Sequence, residues 1–108
     1  MFSKKFRLPA TVSLSGTQVV SARFFTIRVK QNTLQNNRYG FVISKKISKR
    51  AHVRNRSKRK FRAGVEQLHS RLKTGYDMLF VLAPGVVNQS TQTLCTELEK
   101  TLQNFFIA

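Results

Sequence analysis

Residues 44–62 read Ser-Lys-Lys-Ile-Ser-Lys-Arg-Ala-His-Val-Arg-Asn-Arg-Ser-Lys-Arg-Lys-Phe-Arg, running from Ser44 to Arg62. From Lys45 onward the stretch holds ten of the chain's 20 Lys and Arg residues and no acid. A block of like charge is ordinarily a disordered tail, because repulsion opposes burial. Here the apolar residues keep a helical period. Val53, Phe61, Val65, Leu68 and Leu72 fall on one side, with Ser57 as the polar gap in the stripe. Arg54, Lys58 and Arg62 follow one another at four-residue spacing on a neighbouring side, and Arg56, Arg59 and Lys60 widen it. The spacing predicts a folded helix with a basic face.

Cations stacked on one helix repel unless a polyanion neutralises them. Arg offers a planar fork that matches phosphate oxygens, and Lys supplies a point charge. A solvated helix face is the bland reading of a short charge run, but ten charges without a compensating acid argue against it. Binding to a phosphate backbone through six to eight such groups would weaken by orders of magnitude between low and moderate salt.

Working outward, residues 23–30 alternate, with Phe25, Ile27 and Val29 on one face and Phe24, Thr26 and Arg28 on the other. Residues 31–37, rich in Asn and Gln, read as a turn, and residues 38–44 as a second strand completing a hairpin. Its larger apolar set, Tyr39, Phe41 and Ile43, belongs beneath the helices. Gly40, Val42 and Ser44 would then join Phe24, Thr26 and Arg28 on the other side of the sheet. That side is either a platform on which unpaired bases stack or a covered second face. After the basic helix, residues 76–83 form a continuous apolar run that predicts a central strand buried on both faces. A last helix begins at Gln89 or Ser90, with Leu94, Leu98, Leu102 and Phe105 on its core side. Residues 1–7 are basic and read as mobile, while residues 8–16 read as one short helix or as a strand.

The whole is 108 residues with a net charge of +16 and a pI near 11.5. That is one domain with the footprint of a nucleic-acid binder. No apolar run approaches a membrane span, no secretory signal is present, and the single Cys95 excludes an internal disulfide. These features predict a cytoplasmic protein with no membrane partner and no small-molecule substrate. Cys95 reads as a small core residue.

Phosphodiester chemistry needs acid–base groups or metal-binding carboxylates. The chain has four acids, Glu66, Asp77, Glu97 and Glu99. Glu66 is placed to pair with Arg62 four residues before it, and Asp77 begins its strand alone. His52 and His69 lie far apart with no cysteine beside either. No catalytic residue and no protein-held metal site can be assembled from these groups.

The string Gly40-Phe41-Val42-Ile43-Ser44-Lys45-Lys46, then Ala51, then Arg54-Asn55-Arg56, Lys58-Arg59 and Arg62, resembles the protein subunit of bacterial ribonuclease P. The resemblance covers residues 21–106 well and the first 20 poorly. Ser57 stands where relatives carry an apolar residue, which implies slightly looser helix packing, and Ala63 where they carry Glu. Pro9 and Ser13 occupy places at which relatives present aromatics to RNA. The resemblance implies an α+β two-layer sandwich, ribosomal-protein-like. Its mixed sheet has about four strands, with helices on one side and a left-handed β–α–β crossover through the basic helix. That hand would depart from the usual rule.

It also implies a function. The family's RNA subunit carries the catalytic Mg2+ site and cuts the 5′ leader from precursor tRNA, while the protein holds both RNAs. Carried over residue by residue, Lys45, Lys46, Arg54, Asn55, Arg56, Lys58, Arg59 and Arg62 are expected to bind the ribonuclease P RNA. Phe24, Thr26, Arg28, Val42 and Ser44 are expected to present the sheet to the leader. The alternative is a non-catalytic basic RNA-binding structural protein, such as a small ribosomal protein. A stand-alone nuclease is a third reading, disfavoured by the missing carboxylate cluster.

Overall fold

A computed structural model describes residues 6–8, 18–43 and 49–107. Four strands form one sheet: β1 (Gln18–Ser21), β2 (Phe25–Gln31), β3 (Arg38–Val42) and β4 (Tyr76–Leu82). Two helices, α1 (Ala51–Leu68) and α2 (Thr91–Thr101), complete the α+β architecture. The spatial order is β1-β2-β4-β3, with β2 antiparallel to β1 and β4, and β3 parallel to β4.

This order corrects the expected hairpin. β2 and β3 are not neighbours, because β4 lies between them. Alternation in the sequence assigns faces correctly but says nothing about partners, and β4 carries the most continuous apolar run, so it takes the centre. The parallel step from β3 to β4 is bridged by α1, as a parallel pair requires a crossover. β1, a short edge strand, was not read from the sequence.

The helix-facing side of the sheet carries Phe25, Ile27 and Val29 from β2, Tyr39 from β3, and Met78, Phe80 and Leu82 from β4, all buried. Phe61 of α1 meets this layer edge-on, 4.8 Å from Phe25 and 5.4 Å from Phe80. A buried aromatic of this kind contributes about 1.5–3 kcal/mol through burial alone. α2 starts at Ser90, whose hydroxyl accepts from Thr93 N–H, and buries Leu94 and Leu98 with Leu102 just beyond. The two helices cross closely at Gly64, where a Cβ would sit 3.0 Å from Leu98 Cδ1.

Ser57 is buried, and its hydroxyl donates to the Val53 carbonyl one turn back. The polar gap in the stripe is thereby satisfied within the helix. α1 stops at Leu68 rather than Leu72, and a 3-10 turn (His69–Arg71) carries the chain to Leu72, still only 1% exposed. Gly75, at φ 95°, makes the reversal into β4 in a region that favours glycine.

β4 is central but not buried on both faces, since Val81 on its outer side is 37% exposed. Nor does Asp77 stand alone. Arg38 donates to it from Nε at 2.9 Å and Nη2 at 2.8 Å, and Asn32 Nδ2 adds a third bond at 2.9 Å. Burial raises the Asp77 pKa, but the hydrogen bonds from Arg38 and Asn32, with the Arg38 and Lys30 charges, outweigh it and leave it below the usual carboxylate range. Residues 32–37 are therefore a polar clasp at the end of the sheet. Asn37 contributes to it by donating to Tyr39 Oη and the Lys73 carbonyl while accepting from Tyr76 N–H.

Residues 6 and 7, expected to be mobile, are placed against the free edge of β3. Arg7 bridges Tyr39 in parallel, and Leu8 N–H donates to the Tyr39 carbonyl at 2.9 Å. The short-helix reading of residues 8–16 lies, apart from Leu8, outside the described residues.

Candidate nucleic-acid interface

α1 holds the basic motif on a rigid scaffold. Phe61, Gly64, Val65 and Leu68 anchor one side in the core. That leaves Asn55, Arg56 and Arg59 exposed, and Arg54, Lys58 and Arg62 half-buried along the flank. Asn55, Lys58, Arg59 and Arg62 line a shallow groove of about 320 Å³. Ala63, between Arg59 and Glu66, helps form a smaller recess beside it. Lys60 is different, because its Nζ donates to the Gln89 carbonyl at 3.2 Å and so turns toward the start of α2. The expected Arg62–Glu66 ion pair is not formed. Instead the Arg62 guanidinium lies 5.5 Å from the Phe41 ring centroid.

The helix start is electrostatically costly. Arg50 occupies the cap position and its side chain does not cap the helix, and no acid lies in the first turn. The positive end of the helix dipole thus faces Arg50, His52 and Arg54, where an anion would be favoured. Two ion pairs among the described residues, Arg38–Asp77 and Arg71–Glu99, both lie off this helix. Lys45, Lys46 and Ser44 fall outside the described residues.

Strand register fixes the composition of the sheet's outer face. Thr26, Val81 and Val42 form one row, and Val19, Arg28, Leu79 and Gly40 the next. Thr26, Arg28 and Val42 therefore share a surface, as expected. Val19 and Val81, which the sequence reading missed, share it too, at 56% and 37% exposure. Phe24 does not. It precedes β2, is 6% exposed, and packs so that a Cβ on Gly85 would lie 3.3 Å from its ring, with Arg23 over it at 5.1 Å. The expectation of an exposed Phe24 platform is corrected: the residues after β4 cover that ring. Leu8 crosses the same face at Gly40, where a Cβ would meet Leu8 at 3.3 Å.

Among the described residues, no three of His, Cys, Asp and Glu come together. Asp77 is already held by Arg38 and Asn32. The described residues do not fit a protein-held Mg2+. His69, beyond the end of α1, has its Nδ1 2.8 Å from Tyr39 Oη, a structural contact. Cys95 is half-buried, with its Sγ 3.4 Å from Gln67 Oε1, and burial followed by the Glu99 charge raises its pKa.

Fold and site together define a small α+β protein built to present a cationic helix beside an open sheet face. The family model for ribonuclease P matches residues 10–105. The ribonuclease P protein component of Caldanaerobacter subterraneus is 38% identical over 89 residues, covering 82% of this chain and 76% of its own. That of Syntrophomonas wolfei is 39% identical over 71 residues, covering 66% of this chain but only 59% of its own length. The chain belongs to the ribonuclease P protein family. Among solved structures, the Staphylococcus aureus RNase P protein matches with TM-score 0.80 at 21% identity, covering 92% of this chain and 94% of that one. The Thermotoga maritima RNase P protein matches at 0.81 and 18%, covering 92% and 96%. At these identities both likenesses establish the fold.

Proposed function

We propose that this protein is the non-catalytic subunit of a cytoplasmic ribonuclease P, working with an RNA subunit that cuts the 5′ leader from precursor tRNA. The observation that carries the reading is the rigid placement of Arg54, Asn55, Arg56, Lys58, Arg59 and Arg62 along one helix whose opposite side is locked into the core. These residues, together with Lys45 and Lys46, bind the ribonuclease P RNA. Thr26, Arg28, Val42 and Ser44 bind the leader of the precursor.

Mg2+ is held mainly by RNA in this reading. The protein's cations relieve repulsion among crowded phosphates, so that fewer metal ions are needed for the same RNA geometry. The grip on RNA is electrostatic first. Family membership supports the partnership.

Reconstitution tests this. The protein is mixed with a bacterial ribonuclease P RNA and a precursor tRNA at low Mg2+, and 5′ cleavage is followed on a gel. Stimulated cleavage is expected. No stimulation with the cognate RNA would overturn the reading, and cleavage by the protein without any RNA subunit would overturn its non-catalytic role.

A further inference from the structure

Beside the free edge of β3, the chain encloses a groove of about 190 Å³. Phe6, Arg7 and Leu8 form one wall, and Phe41 and Arg62 the other. A cavity of about 150 Å³ already holds a benzene ring, so this groove has room for a flat ring. The groove wraps the edge of β3 at Tyr39, Gly40 and Phe41.

Its inner wall is layered. Phe80, fully buried, stacks on Phe41 with centroids 5.3 Å apart and planes 12° apart. Phe41, half-buried, then carries the Arg62 guanidinium 5.5 Å from its centroid. Arg38 and Arg71 each spend their fork on a carboxylate. Arg62 makes no ion pair among the described residues, so its donors remain available at the groove. A guanidinium plane supported from behind by an aromatic ring is a surface on which an unpaired base stacks, while its edge donates to phosphate or base oxygens. Arg7, exposed on the opposite wall, adds the charge that a flanking phosphate needs.

The geometry points to a nucleobase slot: Arg62, seated on Phe41, stacks one unpaired base of a bound RNA, with Arg7 holding the adjoining phosphate. This rests on the RNA-binding reading above, and it assigns to Arg62 a stacking contact where the motif alone gives only a charge. Arg rather than Lys is required at this position, since only the planar group can stack.

The test uses the full chain and two single-stranded probes, a short oligoadenylate and an abasic ribose-phosphate oligomer of the same length. The wild-type protein is expected to bind the abasic oligomer roughly tenfold more weakly. Arg62→Lys keeps the charge, so its salt slope stays as in wild type, but its preference for the base-bearing oligomer disappears. Phe41→Leu, which removes the supporting ring on another element, is expected to reduce the same preference with the charge untouched. Equal affinity of wild-type protein for both oligomers, or an Arg62→Lys protein with the full preference, overturns the slot. Loss of cleavage stimulation in the reconstitution, with the preference intact, overturns the ribonuclease P assignment instead.

Discussion

Arg38 and Asp77 face each other across the parallel pair of β3 and β4, joined by two side-chain hydrogen bonds of 2.9 and 2.8 Å. A parallel pair has no tight turn to fix its register, so a two-pronged clasp between register partners does that work. Asp77→Asn is expected to destabilise the protein by about 2 kcal/mol, less than for a fully buried pair because Arg38 is partly exposed. The pH dependence follows from the lowered carboxyl pKa of Asp77. Its contribution is present above the ordinary carboxylate pKa and is lost as pH falls through the lowered value. Urea midpoints measured from roughly pH 5 down to pH 2 should fall less steeply for Asp77→Asn than for wild type.

Tyr39 makes the opposite case at high pH. Burial pushes its hydroxyl up to about 12, partly opposed by the hydrogen bond from Asn37. Its stabilising effect is complete below the ordinary tyrosine pKa near 10 and is lost as pH rises toward 12. Tyr39→Phe removes one hydrogen bond each from His69 Nδ1 and Asn37 Nδ2 and is expected to cost about 1–2 kcal/mol at neutral pH. Alkaline melting should show the variant losing less stability than wild type over the same range.

The uncapped start of α1 trades stability for charge. Arg50→Ser supplies an acceptor for the first free amides and removes a cation from the positive end of the dipole. A gain of about 1 kcal/mol in urea unfolding is expected, together with weaker RNA binding. If stability is unchanged, the interactions of Arg50 within the fold already compensate for the missing cap.

Salt titration separates the cations that meet RNA from those that serve the fold. Arg54→Ala with Arg56→Ala should weaken binding to ribonuclease P RNA by about 1–3 kcal/mol per lost contact and reduce the salt slope by about one for each phosphate contact. Lys60→Ala, whose ammonium is turned to the Gln89 carbonyl, should leave the slope nearly intact. Filter binding over a range of salt concentrations checks both.

The elements themselves were readable in the sequence because each carries its own period. The Phe25, Ile27, Val29 set and the Phe61, Val65, Leu68 stripe are inside where alternation and helical spacing put them. What local pattern lacks is partnership. Asp77 looked solitary because Arg38 lies 39 residues away and Asn32 lies 45 away. Phe24 has the right parity for the outer face, but it sits one residue before β2, where the chain after β4 can cover it. The basic face of α1 was legible apart from Lys60, which turns to Gln89, and Arg62, which lies over Phe41. The groove at Phe41 and Arg62 was not, since its second wall comes from residues 6–8 and only the folded chain brings them across.

The interposed position of β4 also constrains how the molecule forms. β1 and β2 can close locally as a hairpin, but β3 stays apart from them until residues 76–82 emerge and insert between β2 and β3. Loop closure over that separation is entropically expensive, so assembly should be slower than for a helical protein of this length. On a ribosome, the cationic helix would be synthesised before the strand that gives it a seat. A nascent chain of this kind is exposed as a bare polycation, and a chaperone or the RNA itself is then well placed to shield it.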